Sequence, residues 1–261
     1  CDIDAHTYIH EMGHILGLDD YYDYSNARYC PAGGYTMQDL NVGAHDPFSC
    51  MALGWAEPFI PRRTSNIELR PFQSSGDLIV LTPNWNTYDS PFDEYLILEY
   101  YTPTGLNAFD AEHPYAKRSA QLPSASGIRV WHVDARLAYI ATGKPNLTPT
   151  QITTNPKDPN KYCIVACKNT YSGEHSSELG KAGYSQFFAF NLLQLIRRDT
   201  KADYYPTETF SSADLFNAGS TFSMNKYSDQ FYQSGRLNTN ADLGWTFRVN
   251  SLDPTKASIT L

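Results

Sequence analysis

The sequence predicts an α+β fold, with a helix-centred region over residues 1–60 and a β-sandwich-like all-β domain over 61–261. Three observations predict it. Apolar residues recur at helical spacing between residues 4 and 18. Pro58, Pro61, Arg62 and Arg63 then mark a change of texture. Beyond them, short apolar runs are split by Pro, Gly, Asn and Ser, the pattern of strands that pack sheet on sheet.

Each element follows from local chemistry. Ile9, Met12 (or Gly13) and Leu16 fall at helical spacing, Asp4 is placed to cap the helix, and Gly17 to stop it. Residues 19–50 read as loop, with a Gly33–Gly34 pair, and PFSCMALGW forms a short helix or turn closing at Trp55. The strand candidates are IELRPF, DLIVLTP, EYLILEYY, GIRVWHV, YCIVAC, STFSM, WTFRVNSL and KASITL. FFAFNLLQLIRR suits helix or strand equally, and its Arg197–Arg198 pair reads as an exposed strand end. SSADLF, with Ser before an apolar turn, predicts a short helix. Residues 141–161, rich in Pro, Thr and Asn, predict an exposed loop.

Composition narrows the partners. The chain has 261 residues, of which 41% are hydrophobic and 18% charged, as in a globular protein. A net charge of -8 argues against nucleic acid, which selects basic surfaces. No apolar run is long enough to span a membrane, and no signal-peptide pattern is visible in residues 1–261. The five cysteines, at 1, 30, 50, 163 and 167, leave pairing and redox compartment open, and Cys163 and Cys167 are close enough in sequence to bridge locally. The chain starts at Cys1 rather than Met, so it is expected to be a fragment or processed product. Oligomeric state is not legible.

The densest chemistry lies in HEMGHILGLDD, from His10 to Asp20. Four residues along a helix return to nearly the same face, so His10 and His14 present their imidazoles together, a pair suited to zinc. Glu11, one position on, sits beside the metal without displacing a ligand and is the expected general base. Gly17 lets the chain turn back. Asp20 then takes the offset of the third ligand in the metzincin pattern HExxHxxGxxH, with Asp19 the competing candidate and Asp23 a more distant one. Three ligands leave the fourth position open, as hydrolysis requires.

Met37, in GGYTMQDLN, is the expected methionine turn beneath the metal. Asp39, in a polar cluster with Asn41, His45 and Asp46, is the expected acceptor for a ligand imidazole. His6 reads as a surface residue one turn before His10. Tyr35 is a candidate oxyanion donor. Alternation places Ile128, Val130, His132 and Asp134 on one strand face, where the polar pair suggests hydrogen-bonded caps, with a calcium site or domain contact as the alternative. Glu99 predicts a buried ion pair.

These segments resemble the secreted bacterial metallopeptidases of the immune inhibitor A type. HEMGHILGLDDYYD is similar to that family's zinc helix with an aspartate third ligand, and PAGGYTMQDLNVGAHDPFSCMALGW to its methionine-turn segment. DEYLILEYYTPTGLNAFD with SGIRVWHVD, ADLFNAGSTFSM and the final GWTFRVNSLDPTKASITL resemble its later strands. The resemblance implies a partial metzincin-like catalytic region, zinc (with calcium as a second metal), protein or peptide substrates, and a secreted, extracellular endopeptidase. The chain departs from the family at Cys50 and Tyr101, and the sheet that precedes the zinc helix in the family is expected to lie upstream of Cys1. The residues themselves support metal-assisted hydrolysis, with a peptide amide as the expected bond. Two other readings stay open: a non-catalytic module binding cell wall, glycan or protein, and a degenerate peptidase retaining zinc for structure.

Overall fold

The computed structural model describes residues 5–24, 29–40, 43–114, 121–140, 149–153, 162–171, 190–198, 203–204, 206 and 208–261. Among them the fold is α+β, with short helices set against antiparallel sheets. The helices are α1 (Ala5–Ile15), α2 (Pro47–Ala52), α3 (Phe72–Ser75) and α4 (Ala108–Glu112). The strands are β1 (Asn66–Leu69), β2 (Leu78–Leu81), β3 (Glu94–Tyr101), β4 (Gly127–Asp134), β5 (Leu137–Ile140), β6 (Pro149–Thr153), β7 (Tyr162–Val165), β8 (Leu193–Ile196), β9 (Thr221–Phe222), β10 (Phe247–Leu252) and β11 (Ala257–Thr260). Sheet orders are β2-β3-β4-β8, β1-β11-β10-β9 and β6-β5-β7.

The central sheet, β2-β3-β4-β8, organises the rest. β3 and β4 are buried along their whole length, as expected for near-continuous apolar runs covered on both faces. Strand alternation divides their side chains between two cores. Leu96, Leu98, Tyr100, Ile128 and Val130 join Phe222, Phe247, Val249, Ala257 and Ile259 from the second sheet. Tyr95, Ile97, Tyr101, Trp131 and Val133 instead meet Tyr21, Ala32, Tyr35, Phe48 and Met51. Residues on either side of position 60 therefore share one apolar cluster. Each fully buried Leu, Ile or Phe contributes roughly 1.5–3 kcal/mol, so the N-terminal loops are held on the sheet mainly by these aromatic and aliphatic contacts. β10 has only one covered face: Phe247 and Val249 point in while Arg248 and Asn250 point out.

Every apolar run singled out as a strand supplies one. The ambiguous run resolves to β8 over its LQLI part, while Phe187–Ala189 lies outside the described residues. The turn at SSADLF is a 3-10 helix, Ser212–Asp214, in which Ser211 and Asp214 cap each other reciprocally. Asp46 caps α2 by accepting from the Ser49 backbone N–H.

Three expectations need correction. Helix α1 does not use Ile9, Met12 and Leu16 as its buried stripe, since all three are exposed; its buried positions are His10 and Gly13. The region expected to be an exposed loop contains β6, which pairs with β5, because main-chain pairing to a neighbouring strand overrides a loop-like composition. Arg197 is not an exposed strand end but is buried beside β8. Asp4 lies outside the described residues, as do Asn41 and Cys1. Cys30, Cys50 and Cys167 are free thiols.

Candidate metal centre

Helix α1 rests on the turn at residues 35–39 through a close approach that only glycine allows. A Cβ on Gly13 would lie 2.3 Å from Oε1 of Gln38, so the carboxamide occupies the space an alanine would fill. Gln38 Nε2 donates to the His10 carbonyl at 3.3 Å, and the Gln38 carbonyl accepts from Tyr21 N–H at 2.8 Å. One buried side chain thus ties α1 to the turn, while its backbone ties the turn to the loop that carries Asp20.

Two main-chain carbonyls set the imidazoles. His10 Nδ1 lies 2.9 Å from the Met37 carbonyl oxygen, and His14 Nδ1 lies 2.8 Å from that of Leu18. A carbonyl can only accept, so both Nδ1 atoms carry hydrogen and both neutral rings present an Nε2 lone pair. Leu18 reaches its place because Gly17 adopts φ 98°, a left-handed conformation that turns the chain back after α1.

The lone pairs converge with a carboxylate. His10 Nε2 and His14 Nε2 are 3.2 Å apart, and Asp20 Oδ1 lies 2.9 Å from the first and 3.2 Å from the second. Among the described residues, His10, His14 and Asp20 are the group of three or more ligand-type side chains that gathers this way. Zinc bonds of about 2.0–2.1 Å in tetrahedral array separate ligand atoms by about 3.3 Å, slightly wider than the 2.9–3.2 Å observed. Three electron-rich atoms this close repel one another unless a proton or a cation lies among them. Without a cation a proton fills that role: the hydrogen bond to Asp20 raises the His10 pKa despite burial. For Asp20, burial alone would raise the pKa, but hydrogen bonds from His10 and Tyr24 outweigh it and hold the carboxyl below its usual range. The donor set therefore fits zinc.

The residues around the triad sort plainly. Glu11 is exposed, one position from His10 on α1. Asp19 lies outside the triad, 3.2 Å from Lys168 Nζ. Asp23 is buried but also outside it. Met37 is buried and contributes its carbonyl to His10. Asp39 does not orient an imidazole, since both are held by carbonyls; its Oδ2 accepts from Gly34 N–H at 3.1 Å. Burial pushes the Asp39 carboxyl up to about 7. His6 packs its ring 5.4 Å from that of His10. His45 lies against Trp55, and burial lowers its pKa.

Tyr35 is buried against Phe210, in the field of Arg129 and Arg197 rather than at the triad, and burial pushes it up to about 12. Glu99 forms the expected ion pair, 3.3 Å from Arg129. His132 and Asp134 sit in a closed polar network. His132 Nε2 is 2.9 Å from Glu94 Oε1, while Asp134 accepts two bonds from Arg136 and one from Asn238. Those carboxylate oxygens already face N–H groups, which leaves the network as a tie between β3, β4 and the segment at 238.

Sequence reasoning missed Tyr24, whose hydroxyl donates to Asp20 Oδ2 at 2.5 Å, and Tyr22, whose ring stacks 6.4 Å from His10. Burial and then the charge of Asp20 push Tyr22 up to about 12. The only available signal was the clustering of YYDY just after Asp20. Comparison of the chain with protein-family models, with curated proteins and with solved structures finds no match.

Proposed function

We propose that the protein is a zinc-dependent endopeptidase in which His10, His14 and Asp20 hold the metal and Glu11 is the general base. The convergence of His10 Nε2, His14 Nε2 and Asp20 Oδ1 carries this reading. A bound zinc ion supplies Lewis-acid polarisation of a water molecule and of an amide carbonyl. The chain's own residues do the rest. The Met37 and Leu18 carbonyls keep both Nε2 lone pairs aimed at one point. Tyr24 occupies Asp20 Oδ2, so that Oδ1 is left for the shared point. On this reading Glu11, exposed and next to His10 on α1, would take a proton from water and return it to the departing amine.

A cluster of three ligand-type side chains, with no fourth among the described residues, favours catalysis over a structural role, since structural zinc usually closes with four. The likeness of HEMGHILGLDDYYD and of the later strands to immune inhibitor A-type peptidases supports a protein or peptide substrate and an extracellular site of action. On this reading α1 and the turn at 35–39, with Met37 as methionine turn, form part of a metzincin-like catalytic region, and the two four-stranded sheets form the sandwich-like β unit. Calcium has no comparable donor group among the described residues.

The test is direct. Metal analysis of the purified chain is expected to return zinc at a 1:1 ratio, and Glu11→Ala to keep the metal while losing hydrolysis of a protein substrate. A chain that takes up no zinc, or a Glu11→Ala variant as active as the parent, overturns the proposal.

A further inference from the structure

Among the described residues, two buried arginines with unused donors lie toward the other end of β4 from His132. The β4–β8 ladder pairs Trp131 with Leu195 and ends with Val130 opposite Ile196; Arg129 and Arg197 are the next residue of each chain, where Ile128 turns to pair with Phe216 and Arg198 N–H donates to Asp214. Leu193 N–H donates to Asn169, Leu195 N–H to Pro31 and Arg197 N–H to Gln230, all away from β4. Leu193 and Leu195 therefore face β4 as non-hydrogen-bonded pairs, and Arg129 and Arg197 continue the alternation onto the same face. Both arginines are buried, at 6% and 5% exposure. Two guanidinium side chains thus leave adjacent points on one face of the sheet, into a core of Tyr35, Tyr101 and Phe210.

Their donors are only partly used. Arg129 Nη1 donates to Glu99 Oε1 at 3.3 Å, an oxygen that Trp131 Nε1 already approaches at 2.9 Å, and the guanidinium lies 4.0 Å above the Tyr101 ring. Arg197 Nη1 and Nη2 donate to the Thr209 and Glu208 carbonyls, which carry no compensating charge. Asp214 lies in the field of Arg197, but its Oδ2 accepts from the Ser211 backbone N–H and hydroxyl. Arg129 Nε, Arg129 Nη2 and Arg197 Nε are buried without a hydrogen-bond partner. Buried donors left without a partner are costly, the more so on charged groups. Desolvation lowers the Arg197 pKa, in keeping with a cation short of partners.

We propose that Arg129 and Arg197 together bind one small inorganic anion of chloride size, which accepts from their unpaired N–H groups and fixes β8 against β4. The site is separate from the metal centre and does not depend on its function. An anion bound only by the folded state stabilises it by mass action. A small halide suits the place, because the donors belong to two buried side chains, one of them stacked on the Tyr101 ring.

The test is the thermal midpoint of the full chain in sodium gluconate against increasing sodium chloride at constant ionic strength. A saturable rise is expected, roughly 3–5 °C when chloride reaches about ten times its dissociation constant. Arg197→Leu is expected to abolish the chloride dependence, whatever its own midpoint. Should that variant fail to fold, a bromide soak of crystals of the parent chain decides: an anomalous peak between the two guanidiniums supports the proposal. Equal midpoints in the two salts, a chloride effect that survives in Arg197→Leu, or a buried water without anomalous signal at that place overturns it.

Discussion

Replacing Gly13 by alanine tests the seating on which the metal centre depends. Alanine in a helix interior is favoured over glycine by about 1 kcal/mol, so at an open position the change would stabilise α1. Here the new Cβ would stand 2.3, 2.7 and 2.9 Å from three atoms of the Gln38 carboxamide. Ordinary contact needs about 3.4–4 Å, so the carboxamide must retreat by about 1 Å. Gln38 is fully buried and donates to the His10 carbonyl, and the retreat breaks that bond. Overpacking of this kind costs about 1–3 kcal/mol and a lost hydrogen bond about 1 kcal/mol. After the helix gain, the net loss is about 1–3 kcal/mol, or a fall of roughly 2–10 °C in thermal midpoint. The assay is a double-mutant cycle: Gly13→Ala, Gln38→Ala and both together, followed by thermal and urea unfolding. Because the clash vanishes when Gln38 is truncated, the coupling energy is expected to be at least about 1 kcal/mol. A Gly13→Ala protein more stable than the parent, or a cycle with no coupling, would show that α1 does not sit on the turn at 35–39, and the His10–Met37 bond would fall with it.

Tyr24→Phe removes the hydroxyl that holds Asp20 Oδ2, and zinc affinity measured by competition with a chelator is expected to drop about tenfold or more with the fold unchanged. An unchanged affinity would refute the orienting role. In metal-free protein, Asp39→Asn is expected to stabilise the chain by roughly 2–4 kcal/mol at about pH 8 and to change little near pH 4. The sign follows from burial: the folded carboxyl titrates at about 7 against 3.8 for the ordinary group, so the folded state keeps a proton that the unfolded chain releases. Stability from this group is therefore full below pH 4, is lost as pH rises to 7, and stays lost above it. Asparagine can still accept from Gly34, so parallel pH profiles for parent and variant would sink the assignment. Truncating Asn238 to alanine removes a bond to Asp134 and is expected to cost about 1–3 kcal/mol in urea unfolding; a neutral result would mean that the 238 segment is not tied to β4 by its side chain.

The strands were legible because their physics is local. EYLILEYY and GIRVWHVD are near-continuous apolar runs, which a short segment can satisfy only as a strand covered on both faces. The triad was legible for a similar reason: the i,i+4 spacing of His10 and His14 fixes a shared helix face, and Gly17 permits the reversal that returns Asp20. Local rules failed where a partner distant in sequence decided the outcome. Ile9, Met12 and Leu16 have the right period for a buried stripe, yet the side of α1 that packs is chosen by the close fit of Gly13 on Gln38. Asp39 had the right chemistry to hold an imidazole, but the carbonyls of Met37 and Leu18 reach those nitrogens first. Arg197 follows an apolar run as strand-end residues usually do, and it is buried because Gln230 takes both its backbone N–H and its carbonyl. Spacing along one element settled which residues could meet; contacts between elements, invisible in any window of sequence, decided which of them did.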